Sequence, residues 1–150
     1  MSDLSQQEIK ILHEALEDEY LAWSTYDQVI EDFGEISPFI NIREAESRHI
    51  EALCTLFNRY GVPIPPNPWP GKVERYKSVQ EACEGGVKAE IANGEMYERL
   101  LAGTQRSDFL RVLSNLQEAS QQRHLRAFER CVSRGGGGCG AGRRRRRGTA

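Results

Sequence analysis

A proline-rich segment in the middle of the chain limits the folds that the sequence can adopt. Five of the six prolines lie between Gly61 and Gly71. Proline lacks a backbone N–H and its ring clashes with the preceding turn, so no helix continues through this segment. The connection to the next helix start, at Ser78, comprises 17 residues and can extend about 50 Å. A connection of this length can run back along a whole helix, which would make the helices before and after it parallel.

Helical patterns fill the chain on both sides of this segment. Residues 5–8 and 78–81 are capping boxes, Ser37 precedes a proline suited to the first helical position, and Ser107-Asp108 starts the last pattern. The predicted helices span about residues 6–33, 38–60, 79–102 and 107–134. No stretch alternates with a period of two. The sequence therefore predicts an all-α, four-helix bundle with a long crossover between helices 2 and 3.

Charge is divided unevenly along the chain. Residues 134–150 contain six arginines and no acidic residue, whereas residues 1–133 contain 14 basic and 22 acidic groups, a net charge of −8. The glycine- and arginine-rich stretch 135–150 cannot bury an apolar face, so we expect a disordered tail after a bundle domain at 1–134. The run Arg143–Arg147 can attract nucleic acid phosphates. Because a terminal basic run is more often a solvated appendage, nucleic acid binding is the weaker interpretation.

The apolar pattern and the N-terminal residues indicate a cytoplasmic protein. No apolar run approaches the roughly 20 residues that cross a bilayer, so no membrane partner is expected. The N-terminus has neither the basic start nor the apolar stretch of a signal peptide. The four cysteines include no Cys-x-x-Cys pair, which argues against a rubredoxin or zinc-ribbon module. Structural disulfides are rare in the cytosol, so we expect thiols at Cys54, Cys83, Cys131 and Cys139.

Glu46 and His49 form the motif with the most chemical content. Three residues apart on helix 2, they lie about 60° apart on one face and can reach one metal ion together. Helix 4 repeats part of this stretch: Arg48-His49-Ile50-Glu51-Ala52-Leu53 matches Arg123-His124-Leu125-Arg126-Ala127-Phe128. The third histidine, His13, is predicted to lie at the surface.

The first helix of each half carries a second repeated pair. Glu19 and Tyr26 on helix 1 are seven residues apart, two turns along one face, and Glu90 and Tyr97 on helix 3 have the same spacing. Two such helix pairs joined by a crossover would place one glutamate and one histidine from each pair around a common axis.

These motifs resemble the ferritin-like superfamily of carboxylate-bridged di-iron proteins over about residues 5–134, and within it a small prokaryotic branch of unassigned function. That family takes one Glu from each of two helices and a Glu-x-x-His from each of the other two. The resemblance implies that the metal ligands include Glu19, Glu46, His49, Glu90 and His124. It also implies that Tyr26 and Tyr97 hydrogen-bond to ligand carboxylates. Judged as residues alone, both tyrosines fit an ordinary aromatic core equally well.

Helix 4 departs from the family pattern. Gln121 stands three residues before His124, where the family has a glutamate. Glu118 lies three residues earlier still, about 240° from His124 on a regular helix. It would reach the site only if helix 4 contains a π-bulge. The sixth ligand is therefore Glu118 or Gln121, or it is absent.

The resemblance implies two divalent metal ions, with iron favoured and manganese as the alternative, because carboxylate and imidazole ligands suit both. It further implies an oxidase, ferroxidase or peroxide-consuming activity. Dioxygen or peroxide would be the substrate, and electrons would come from an external donor or from ferrous iron. The alternative is a non-catalytic metal-binding or interaction bundle whose site is degenerate at Gln121. The sequence leaves open whether copies of the chain form a homo-oligomer.

Overall fold

Residues 3–135, the part of the chain that the computed structural model describes, contain four helical stretches. Helices α1, α2 and α3 span Gln6–Phe33, Phe39–Arg59 and Val79–Leu101. The fourth stretch has three consecutive parts, which are α4 (Ser107–Ala119), a π-helical turn (Ser120–His124, the π-turn) and α5 (Leu125–Ser133). No strand occurs within the described residues, and the predicted all-α bundle is confirmed. Apart from Gly135, the predicted tail lies outside the described residues.

Two of the four helices begin with the predicted side-chain caps. In α1, Ser5 Oγ accepts from the N–H of Glu8 and Glu8 Oε1 accepts from the N–H of Ser5, both at 3.1 Å. In α3, Ser78 Oγ accepts from the N–H of Glu81, but Glu81 accepts from the N–H of Lys77 rather than of Ser78, so only half of the predicted capping box forms. The caps predicted for α2 and α4 are wrong, because Pro38 and Arg106 occupy the N-cap positions without a side-chain hydrogen bond. α2 begins at Phe39, one residue later than predicted, and Ser107, predicted to cap α4, is its first helical residue.

The connection between α2 and α3 runs along α1. Tyr20 on α1 donates its hydroxyl hydrogen to the backbone oxygen of Pro65 at 2.6 Å. Farther along the connection, Arg75 pairs with Asp32 near the C-terminal end of α1, at 2.6 Å. The connection therefore travels toward the end of the bundle at which α1 stops and α2 begins. Since α3 starts at this same end, it runs parallel to α2.

Two apolar clusters fill the bundle, one on each side of a polar layer. The cluster toward the start of α1 includes Leu12, Leu16, Leu53, Phe57, Phe109 and Leu113. The cluster toward the end of α1 includes Tyr26, Phe39, Cys83, Phe128 and Cys131. On every helical stretch, buried polar residues lie between members of the two clusters. Apolar burial on both sides stabilises the bundle and shields the polar layer from water.

The π-turn lets buried side chains before and after it face the same core. On a regular helix, Leu116 and Phe128 would lie about 120° apart and could not both face the core. One extra residue in the turn reduces this angle to about 20°, and both side chains are buried. Gly86 on α3 makes room for the Phe128 ring, because a Cβ at Gly86 would lie 2.7 Å from the ring.

Cys83 on α3 and Cys131 on α5 form a disulfide, with their Cα atoms 6.1 Å apart. The expectation that these two cysteines are thiols is therefore wrong. Sequence spacing did not reveal the pair, because only the packing of α5 on α3 brings the two sulfurs together. Cys54 is free, whereas Cys139 lies outside the described residues.

Within residues 3–135, no helix has both the length and the apolar character that crossing a bilayer requires. The cytoplasmic location stays a prediction.

Reducing the disulfide should lower the free energy of unfolding. The two cysteines are 48 residues apart, and a cross-link closing a loop of this size contributes up to about 4 kcal/mol by restricting the unfolded chain. Urea unfolding with and without a strong reductant measures this loss. Cys54→Ser should keep the full dependence on reductant, whereas Cys83→Ser/Cys131→Ser should show none. An unfolding midpoint that does not move on reduction would contradict the cross-link.

Candidate metal centre

Three carboxylates and two imidazoles meet in the polar layer of the bundle. They come from all four helical stretches and are buried: Glu19, Glu46, His49, Glu90 and His124. They form two groups, one of Glu19, Glu46 and His49 and the other of Glu46, Glu90 and His124. Within each group, the potential ligand atoms lie within 4.8 Å of one another. Glu46 belongs to both groups, so the two candidate ion positions are adjacent.

Glu46 connects the two histidines. Its Oε1 lies 3.1 Å from His49 Nδ1, and its Oε2 lies 3.4 Å from His124 Nδ1. Glu19 Oε1 is 3.5 Å from His49 Nδ1, and Glu90 Oε1 is 3.7 Å from His124 Nδ1. The imidazole rings stack, with centroids 5.4 Å apart and planes inclined by 19°. The site is thus nearly symmetric, and the Nδ1 atom of each histidine faces two carboxylates.

Glu19 on α1 and Glu90 on α3 each accept a hydrogen bond from a tyrosine on the other of these two helices. Tyr26 donates to Glu90 Oε2 at 2.6 Å, and Tyr97 donates to Glu19 Oε2. Burial, together with the charge of the carboxylate it contacts, raises the pKa of each tyrosine well above its usual value. The hydroxyls therefore remain donors that orient the carboxylates. Both tyrosines also belong to apolar clusters. Each is therefore both a hydrogen-bond donor to a carboxylate and a core aromatic residue.

Burial and close charges set the protonation of the cluster. Burial, reinforced by the charge of Glu46, raises the pKa of Glu19 to about 8. Burial alone would lower the pKa of His49, but hydrogen bonds to Glu19 and Glu46 raise it to about 10. Burial would also lower the pKa of His124, but the nearby carboxylates of Glu46 and Glu90 raise it to about 9. Without another cation, the protons on His49 and His124 therefore compensate carboxylate charge in the cluster at neutral pH.

The donor set fits a divalent metal ion. His124 Nδ1 is buried and has no hydrogen-bond partner in the described structure, although it faces Glu46 and Glu90. A buried nitrogen without a partner is rare and destabilising, and a cation bound between these groups would satisfy it. Carboxylate oxygens and imidazole nitrogens are the ligands that iron, manganese and zinc take in proteins. The cluster can therefore hold a metal ion.

The fourth stretch contributes a serine to this cluster rather than a carboxylate. Ser120, in the π-turn, is buried and donates its hydroxyl hydrogen to Glu90 Oε1 at 2.6 Å. Gln121 donates instead to the backbone oxygen of Glu90 at 2.8 Å, and its amide occupies the space beside Gly94. Glu118 is exposed and belongs to neither group. The π-bulge exists, but it does not bring Glu118 to the cluster.

Ser120 is the member of the site that the motif did not identify. The motif assumes a regular helix, in which the residue three before the histidine faces the metal. A π-helical turn contains more residues per revolution, so the residue four before His124 takes this place. The sequence did contain a signal, namely the angle between Leu116 and Phe128 on a regular helix. One inserted residue corrects that angle and also turns Ser120 toward the cluster.

A small cavity reaches the cluster between α1 and α3. Its volume is about 280 Å³, and both Tyr26 and Glu90 line it. Most of its other lining residues are apolar. Asp18 also lines the cavity and accepts a hydrogen bond from Asn93 at 2.5 Å, and burial raises the pKa of Asp18 to about 6. A small molecule in this cavity would touch the Glu90 side of the cluster.

Comparison with known proteins supports the fold and leaves the function open. The sequence matches no protein-family model and no curated protein. The structure is similar to the crystal structure of the hypothetical protein MJ0754 from Methanococcus jannaschii, with a TM-score of 0.80 and 26% sequence identity. The similarity covers 91% of this chain and 85% of that one. Its description as hypothetical names no activity.

The metal-free protein should lose stability as the pH rises from about 6.5 to 9. His49 and His124 have pKa values of about 10 and 9 in the folded state, whereas an unfolded histidine has a pKa of about 6.5. The folded state therefore binds more protons in this interval, and its advantage disappears as the pH approaches the folded values. Glu19, with its pKa raised to about 8, acts in the same direction.

Melting temperatures measured at several pH values in the presence of a chelator test this dependence. His49→Gln should show a shallower decline, because it removes one of the groups that bind protons. His13→Ala should follow the parent, since His13 is exposed and outside the cluster. A melting temperature that rises over this interval would show that the protonation scheme is wrong.

Proposed function

We propose that the chain is a ferritin-like protein that binds two divalent metal ions, with iron favoured over manganese, and supports oxidase, ferroxidase or peroxide-consuming chemistry. The observation that carries this proposal is the sharing of Glu46 between two buried carboxylate–histidine groups. Glu19 and His49 would complete the ligands of one ion, and Glu90 and His124 those of the other. A shared carboxylate is the ligand type that holds two cations close together.

The arrangement of the helices supports the ferritin-like assignment. In bundles of this kind, one glutamate projects inward from each of two helices, and glutamate with histidine projects from the others. Here Glu19 and Glu90 are the glutamates that project without a histidine from the same helix, and they lie on the antiparallel helices α1 and α3. The crossover along α1 supports the same assignment, because it joins the two helix pairs in the order that such a bundle requires.

Bound iron would supply the redox chemistry, and the surrounding residues prepare the site for it. The tyrosine hydroxyls hold Glu19 and Glu90 in fixed orientations. Apolar clusters on both sides exclude bulk water from the ligands. The cavity beside Glu90 is large enough for dioxygen or peroxide. Electrons would come from an external donor or from ferrous iron supplied as the substrate.

A non-catalytic metal-binding bundle is the second candidate, and Ser120 favours it. Two divalent ions carry four positive charges, whereas Glu19, Glu46 and Glu90 supply three negative ones. A serine at the fourth position provides neither the missing charge nor a second bridging carboxylate. Weaker or unequal binding of the two ions follows, and a site of this kind stores or buffers metal without turnover.

Iron content and oxygen consumption distinguish these candidates. After anaerobic loading with ferrous iron and desalting, elemental analysis should find about two ions per chain, as a dinuclear carboxylate site requires. An oxidase should then consume dioxygen again with each further addition of ferrous iron. A protein that takes up iron once and stops is the non-catalytic candidate. A content well below one ion per chain would contradict the dinuclear site in either form.

His49→Ala and His13→Ala form a matched pair for this measurement. Removing a ligand should lower the metal affinity at least about tenfold, whereas removing the exposed His13 should leave it unchanged. Both variants should keep their helices, since the apolar clusters provide most of the stability. Equal iron content in the two variants would show that His49 is not a ligand.

Ser120→Glu should strengthen metal binding, whereas Gln121→Glu should not. A carboxylate at position 120 would lie beside Glu90 Oε1 and add the missing charge, which should raise the affinity at least about tenfold. A carboxylate at position 121 would face the backbone oxygen of Glu90 and lose the hydrogen bond that the amide donates. Metal competition titrations on both variants measure the difference. The opposite order of affinities would mean that the fourth stretch is a regular helix in solution.

A further inference from the structure

A groove lined by arginines runs between α2 and the fourth stretch. Its volume is about 440 Å³, and no aspartate or glutamate lines it. Its basic residues are Arg48, Arg123, Arg130 and Arg134, and His124 of the metal cluster forms part of its lining. Since residues 1–133 carry a net charge of −8, this concentration of positive charge does not follow from the overall composition.

Three of these arginines have no partner within the described part of the chain. The guanidinium groups of Arg48, Arg123 and Arg130 make no ion pair or hydrogen bond with residues 3–135, and all three residues are exposed. Arginines outside the groove that each pair with an aspartate or glutamate are Arg43, Arg59, Arg75, Arg99 and Arg106. Like charges along one groove repel each other unless an anion lies between them.

The internal repeat of the sequence produces this arrangement. Arg48 precedes His49 and Arg123 precedes His124, so each arginine lies about 100° around its helix from a histidine of the cluster. The start of α4 lies beside the end of α2, where Asp108 pairs with Arg59 at 2.9 Å. The fourth stretch is therefore antiparallel to α2, and the helix faces that carry Arg48 and Arg123 meet in the groove.

We propose that this groove binds a phosphate group, either as inorganic phosphate or as part of a small phosphorylated molecule. Guanidinium groups bind phosphate through paired N–H donors. Several guanidinium groups in one groove match the charge of a phosphate dianion better than that of a single carboxylate. The groove borders α2 from Pro38 to Arg48, about 15 Å of helix, which suits a small molecule rather than a polymer. Apolar lining from Ile42, Ala45 and Ala127 can contact an organic portion.

The groove adds to the metal centre but does not depend on it. None of its arginines is a proposed metal ligand, so loss of metal binding leaves the phosphate site intact. His124 belongs both to the cluster and to the groove lining. A phosphate bound in the groove would therefore lie next to the metal centre, which gives the proposed chemistry an anionic co-ligand or a phosphorylated substrate.

Calorimetric titration of the full chain in a phosphate-free buffer with a chelator tests this proposal. The probes are inorganic phosphate, phenyl phosphate and phenol. Phosphate and phenyl phosphate should bind saturably, with dissociation constants below about 1 mM, and phenol should not bind. Equal affinity for the two phosphates assigns the site to free phosphate, and tighter binding of phenyl phosphate assigns it to a phosphorylated molecule. Absence of saturable binding by both would overturn the proposal.

Single arginine variants show whether the groove is responsible. Arg48→Gln, Arg123→Gln and Arg130→Gln should each weaken phosphate binding about tenfold, and Arg48→Lys should recover part of the loss. Arg126→Gln is the matched control, because Arg126 is an exposed arginine of α5 that does not line the groove. All variants retain Arg143–Arg147, so binding to that run cannot separate them. Equal affinities in the groove variants and the control would overturn the proposal.

Discussion

Three carboxylates buried in the middle of a small bundle are the constraint on which the rest of the structure depends. An ionised carboxylate is strongly destabilised away from water unless protons, cations or hydrogen-bond donors compensate its charge. Each of the three has such partners: Glu19 has Tyr97 and His49, and Glu90 has Tyr26 and Ser120. Glu46 lies between both histidines. The bundle tolerates this layer because apolar clusters stabilise the helices on either side of it.

The fourth stretch shows how strongly this layer constrains the helices. It must place His124 in the polar layer, Leu116 in one apolar cluster and Phe128 in the other. A regular helix would turn Phe128 away from the face that carries Leu116, and the π-turn removes this conflict. Beyond the turn, the disulfide to α3 and the space above Gly86 hold α5 where the turn has placed it. The π-turn and the disulfide therefore both fix the position of α5 against α3.

Local signals in the sequence predicted most of the helices, and a family resemblance predicted the five residues of the cluster. Helix bounds follow from caps and periodicity, which depend only on neighbouring turns. The five cluster residues follow from the resemblance to the ferritin-like superfamily, which the three- and seven-residue spacings carry. Ser120 and the Cys83–Cys131 pair depend instead on how α3 packs against the fourth stretch. The motif assumes a regular helix and therefore assigned the position facing the cluster to Gln121. In the structure, the neighbouring residue Ser120 faces the cluster.

The missing fourth carboxylate and the arginine groove have the same electrostatic consequence. With two divalent ions bound, the charges of Glu19, Glu46 and Glu90 would leave an excess of positive charge at the centre, and Ser120 does not remove it. Arg48 and Arg123 add further positive charge on the side where His124 lines the groove. The charge of bound ions at the buried centre would be little screened, whereas the exposed arginines act on an anion through direct contact in the groove. Both features would therefore favour an anion at the same place. A glutamate at position 120 would weaken that attraction while strengthening metal binding, so Ser120 suits the proposed anion beside the proposed metal centre.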